Sequence, residues 1–87
     1  MSVRPVGRSD VLAQLAEIVA LVTERPADAV QLDRTFVDDL RIDSLSMVEI
    51  LEGASLHFGV HIKDEAAKDF VHVRDLVDHL STRLSRP

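Results

Sequence analysis

The sequence predicts an all-α fold, a small four-helix bundle with a long loop between helices 1 and 2 and a short third helix. Three observations carry this. Apolar residues recur at helical spacing in three separate stretches, and no stretch gives a strand signal. A composition of 46% apolar and 29% charged residues over 87 positions is that of one folded domain and not of a disordered tail.

Residues 1–8 contain Pro5 and Gly7 without periodicity and read as a flexible lead-in, the domain occupies 9–84, and 85–87 form a short tail. Ser9 or Asp10 can cap a first helix, whose apolar residues Val11, Leu12, Leu15, Ile18, Val19 and Val22 fall within an arc of about 120°. Pro26 should stop that helix near Arg25. From Pro26 to about Asp43 no helical period holds, yet Val30, Leu32, Phe36, Val37, Leu40 and Ile42 recur irregularly, as in a long loop pinned to a core. Loops beyond about 12–15 residues tend to be functional.

A second helix should start at Asp43-Ser44, with Asp43 as N-cap, and run to Phe58 before Gly59 ends it. A short third spans Asp64 to Asp69. A fourth, over about Val73 to Leu84, lines up Val73, Leu76, Val77, Leu80 and Leu84.

Composition narrows the function. A domain this short has no room for a deep cleft between subdomains, so a self-contained enzyme is not expected. The absence of cysteine excludes disulfides, thiolate metal sites and a protein-borne thiol nucleophile. A net charge of −5 argues against nucleic acid and for basic partners. No signal peptide is evident and no run approaches about 20 apolar residues, so a cytoplasmic location without stable membrane association is expected.

The second helix carries an anomaly. Met47, Ile50, Leu51, Ala54 and Phe58 share one side, the core side. The opposite arc interleaves Leu45, Val48, Glu49, Glu52 and Leu56, apolar and acidic residues on a face that should be solvated. Either a partner docks there or the long loop covers Leu45 and Val48. Residues 33–69 hold nine acids against four bases, a net of −5, while the two flanks carry −1 and +1. The acidic field therefore surrounds Ser44, and it would steer basic partners in a salt-dependent way.

The run Phe36-Val37-Asp38-Asp39-Leu40-Arg41-Ile42-Asp43-Ser44-Leu45-Ser46-Met47-Val48-Glu49 resembles the prosthetic-group attachment region of acyl carrier proteins. The likeness extends from about Ser9 to Leu84 through Phe58-Gly59-Val60, Ile62 and Asp64-Glu65. It is nearest to stand-alone carriers of bacterial type II fatty acid synthesis, and Asp43 to Ile50 is similar to carriers of very long meromycolate chains.

The resemblance implies 4′-phosphopantetheine on Ser44, transferred from coenzyme A by a phosphopantetheinyl transferase, with acyl groups then held as thioesters on the arm. The serine would be no catalyst. A phosphodiester there would sit at the positive pole of a helix. The resemblance also implies that acyl-activating, condensing and reducing enzymes dock through basic patches onto Asp43, Leu45, Met47, Val48 and Glu49. Glu52, where the family often has an apolar residue, would add charge to that face, and Asp38 and Asp39 would help dock the transferase. Ser55, Leu56 and His57 replace frequent acids, Lys63 a frequent proline, and His72 a frequent Ser or Thr cap. A polyketide or peptidyl carrier is the alternative within this chemistry, although Asp43 directly before Ser44 favours the fatty-acid type. An unmodified helical adaptor is the alternative outside it.

Gly53 with Ala54, Ala66 and Ala67 either leaves room for an acyl chain or permits tight helix packing. His57 and His61 flank Gly59, which breaks the one-face geometry of a helical zinc pair, so no metal site is expected. Three scattered phenylalanines suit core anchors better than base stacking.

Overall fold

A computed structural model describes residues 7–84 and contains three α-helices, α1 (Arg8–Thr23), α2 (Ser44–Phe58) and α3 (Val73–Leu84). Two 3-10 turns, Ala27–Ala29 and Asp64–Asp69, join them. The short helix expected over Asp64–Asp69 is present with those bounds as a 3-10 helix, so the expected four-helix bundle is three α-helices and this one 3-10 segment. Six residues allow fewer than two α-turns, and the last of them must hand the chain to Phe70, which is buried. The tighter bonds Ala66 N–H to Lys63 C=O (3.0 Å) and Phe70 N–H to Ala67 C=O (3.2 Å) achieve this.

Both ends of α1 differ from expectation. Gly7 is the N-cap, so Ser9 and Asp10 lie inside the helix. Arg8 opens the first turn and its side chain forms an ion pair to Asp78 of α3, 2.7 Å long. Most of the lead-in, 1–6, and the tail, 85–87, lie outside the described residues. At the other end Glu24 adopts a left-handed conformation (φ 59°) and donates its N–H to Ala20 C=O at 2.8 Å, which closes the helix before Pro26 can.

The core joins Val11, Leu15 and Val19 of α1, Ile50, Leu51 and Ala54 of α2, and Val73, Leu76, Val77 and Leu80 of α3. α1 packs against both other helices. Phe36, 1% exposed, brings the long loop into the same cluster with Leu40 and Ile42. Gly53 faces α1. A Cβ there would meet Ile18 Cγ2 at 3.1 Å, so the glycine serves close helix packing.

The loop is fastened mainly through its backbone. Arg34 C=O accepts the Val73 N–H (2.9 Å), Leu32 C=O accepts the Arg74 N–H (3.1 Å), and Phe36 N–H donates to Val71 C=O (3.0 Å). The loop thereby satisfies two amides in the first turn of α3 that have no partner within the helix. Thr35 and His72 form the bridge at this seam. His72 has no side chain suited to capping, and Asp75 reaches back instead, accepting from the amides of His72 (2.8 Å) and Val71 (3.1 Å). This is the acidic half of a capping box.

Among the described residues no helix is long and apolar enough to cross a membrane.

Candidate functional site

Arg41 takes the left-handed conformation, φ 58°, between two buried residues, Leu40 and Ile42. The loop so turned delivers Asp43 to the start of α2. Its Oδ1 accepts the Ser46 N–H at 2.8 Å, and its carbonyl accepts the Met47 N–H at 2.9 Å. Asp43 is therefore the N-cap, as the sequence predicts. The Ser46 amide beside it holds its carboxyl below the usual carboxylate range. Ser44 becomes the first residue of α2 and is exposed at the helix's positive pole.

A cavity of about 430 Å³ opens beside Ser44. Val37 and Ile42 of the loop, Met47 and Val48 of α2, and Ala67 of the 3-10 turn wall it with apolar groups. Asp43, Ser44, Glu65 and Lys68 complete the lining. Gly53, Ala54 and Ala66 do not reach it, so of the four small residues singled out only Ala67 borders this space. Glu65 and Lys68 were not picked out by sequence reasoning. Their spacing of three in a short turn is the signal that could have placed them on one face.

Of Leu45 and Val48, the loop leaves Leu45 open at 70% exposure and shares a cavity with Val48 through Val37 and Ile42, while Leu56 is 86% exposed. Glu49 and Glu52 are exposed beside them, while Val48 is half-buried against the cavity. Met47 points inward, only 7% exposed. The predicted face is thus an exposed strip of Leu45, Glu49, Glu52 and Leu56, with Val48 at its margin.

Asp38 and Asp39 part company. Asp38 is exposed, whereas Asp39 Oδ2 accepts from the Thr35 amide (2.8 Å) and the Thr35 hydroxyl (3.1 Å). Thr35 Oγ1 in turn accepts from the Asp39 amide at 2.9 Å. The Thr35 amide depresses the Asp39 carboxyl, so this acid is a fastener of the loop. The Thr-x-x-x-Asp spacing that makes this knot is present in the sequence.

The histidines are dispersed. His57 Nε2 hydrogen-bonds Gln14 Oε1 at 2.6 Å and ties α2 to α1. His79 packs edge-on to Phe70, and burial, helped by Arg83, pushes it below the ordinary histidine value. Among the described residues no three potential ligands gather around one point.

This geometry has relatives. The profile of a family described as the phosphopantetheine attachment site matches residues 13–80. An acyl carrier protein of Beutenbergia cavernae is 49% identical over 75 residues, covering 86% of this chain and 92% of its own length. The chain belongs to the acyl carrier protein family. As an acyl carrier its prosthetic group is 4′-phosphopantetheine. The acyl carrier protein of Enterococcus faecalis superposes with a TM-score of 0.69 at 32% identity, covering 86% of this chain and 95% of that one. The HMG-ACPI domain of the CurA module from Lyngbya majuscula reaches a TM-score of 0.83 at 22% identity over 98% of this chain and 85% of that one, a likeness of fold.

Proposed function

We propose that Ser44 is the residue that bears 4′-phosphopantetheine, and that the chain is a non-catalytic carrier which presents acyl thioesters to successive enzymes. The observation that carries this is the position of Ser44: first in α2, exposed, and at the edge of an apolar cavity. The residues fit the group. A hydroxyl free of the core can be reached by a transferase, the helix pole favours the anion that forms on it, and the cavity walls suit an uncharged arm. In loading, the Ser44 Oγ–P bond forms as the phosphoanhydride of coenzyme A breaks, and the hydroxyl proton leaves with the nucleotide or solvent. When bound, the group supplies the thiol that this cysteine-free chain lacks.

The chain's own residues then have two tasks. Asp43 and the loop fix the start of α2, so the attachment point has one direction. Leu45, Val48, Glu49 and Glu52, with Asp38 and Asp43 near the helix start, form the docking face for basic patches on the transferase and on acyl-activating, condensing and reducing enzymes. Exposed acids steer the encounter, and Leu45 supplies apolar contact once water is expelled. Met47 acts from beneath by supporting this face, and Asp39 acts through the loop. The carrier works as a monomer.

Intact mass after incubation with coenzyme A, magnesium and a broad-specificity phosphopantetheinyl transferase tests the reading. One phosphopantetheine is expected on the wild type and none on Ser44→Ala. An unchanged mass with several transferases would refute it.

A further inference from the structure

The phosphodiester carried by Ser44 under the proposed function would enter an acidic neighbourhood. Residues 33–69 have a net charge of −5, and Asp43 and Glu65 line the same cavity as Ser44. The helix pole offers partial charge only: the Ser46 amide is already bonded to Asp43 Oδ1, which leaves the Ser44 and Leu45 amides at the helix start. A further counter-charge has to come from a side chain. Among the described residues that line the cavity, Lys68 is the one cation. Neither of the two ion pairs found among the described residues engages it.

We infer that Lys68 is a positioning residue for the prosthetic arm: its ammonium pairs with the phosphodiester on Ser44 and holds the first part of the arm over the wall formed by Met47 and Ala67. The inference rests on Ser44 as the attachment point. It goes beyond that reading by giving the arm a resting direction, set from the 3-10 turn across the cavity from α2. The pairing joins two exposed groups, so salt should dissolve it. Glu65, three residues earlier on the same turn, lines the same cavity but forms no ion pair with Lys68, so the ammonium is open to the phosphodiester.

The test compares apo protein with protein loaded from coenzyme A, loading being verified by intact mass, through NMR of the Cε and Nζ signals of both lysines. Lys68 is expected to shift on loading while Lys63, outside the cavity, stays. The shift should vanish in about 1 M sodium chloride, where the screening length is about 3 Å. A nitroxide on the arm's thiol should broaden the amides of Met47 and Ala67, Lys68→Gln should remove most of that broadening, and Lys68→Arg should restore it. A Lys68 signal unmoved on fully loaded protein overturns the pairing and leaves the carrier function standing. Broadening unchanged in Lys68→Gln overturns the positioning role. A chain that gains no mass overturns the attachment reading and this inference together.

Discussion

Asp39 and Asp43 are exposed acids that the fold uses as acceptors, and in both the depressed carboxyl follows from an amide it accepts. A lowered folded-state value means the unfolded chain binds the proton more readily. The stabilisation is therefore complete above the ordinary value of 3.8 and is lost as pH falls through the lowered folded values. His79 acts at higher pH with the same sign of slope. Its folded value is lowered by burial, so stability is full above the ordinary 6.5 and falls as pH drops through that value towards the folded one. The thermal midpoint should accordingly decline in two stages, one below about pH 6.5 and one below about pH 4. His79→Gln should flatten the first stage. Asp43→Asn, which keeps a capping acceptor, should weaken the second while leaving the midpoint at pH 7 nearly unchanged. Thermal melts followed by circular dichroism from pH 3 to pH 8 check both, and an Asp43→Asn profile that parallels the wild type would remove the cap from this account.

The elements were legible to different degrees because their causes differ. α2 could be read from end to end, since its cap, its apolar stripe and Gly59 (φ 67°) are local signals. α1 was legible in its stripe but not at its ends. The start is capped by Gly7, with Arg8 paired to Asp78 on another helix, and the end is closed by Glu24 in a left-handed conformation that the sequence does not mark. The 64–69 segment was visible as a short helix, and only the demand to bury Phe70 decides that its bonds are 3-10. The loop's fastening was least legible, because carbonyls of Leu32 and Arg34 have no residue signature. Ser44 and Asp43 could be found from the motif, whereas Lys68 and Glu65 join the cavity only in three dimensions. At Gly53 two effects oppose each other. Alanine gains about 1 kcal/mol of helix propensity, while its Cβ would press Ile18 at 3.1 Å. Ile18 is half-buried and can yield a little, so Gly53→Ala should change stability by less than about 1 kcal/mol. Gly53→Leu should cost about 1–3 kcal/mol by overpacking the α1–α2 contact. Urea denaturation decides, and a neutral leucine variant would mean that the contact is loose.

Across the whole molecule, charge is segregated rather than spread. The excess of acid lies in residues 33–69, around the exposed strip of α2, and this sets how partners arrive. On the proposed docking face, Glu49→Lys with Glu52→Lys should slow association with a phosphopantetheinyl transferase by about 10-fold at low ionic strength. The two rates should converge as salt rises, because the screening length falls from about 30 Å at 0.01 M to about 3 Å at 1 M. Stopped-flow association measures this, and rates that stay equal at low salt would exclude steering by these acids. The seam between the loop and α3 has a consequence of another kind. Its bonds from Arg34 to Val73 and from Leu32 to Arg74 close a stretch of chain that contains all of α2. No such closure can form from neighbours in sequence, so the seam carries a loop-closure cost that the helices' own local bonds do not. During synthesis, Ser44 leaves the ribosome well before Val73 and Arg74, the residues that fasten its loop. A transferase that recognises the fixed loop would therefore act only after α3 has emerged and closed the seam, so that loading marks a folded domain.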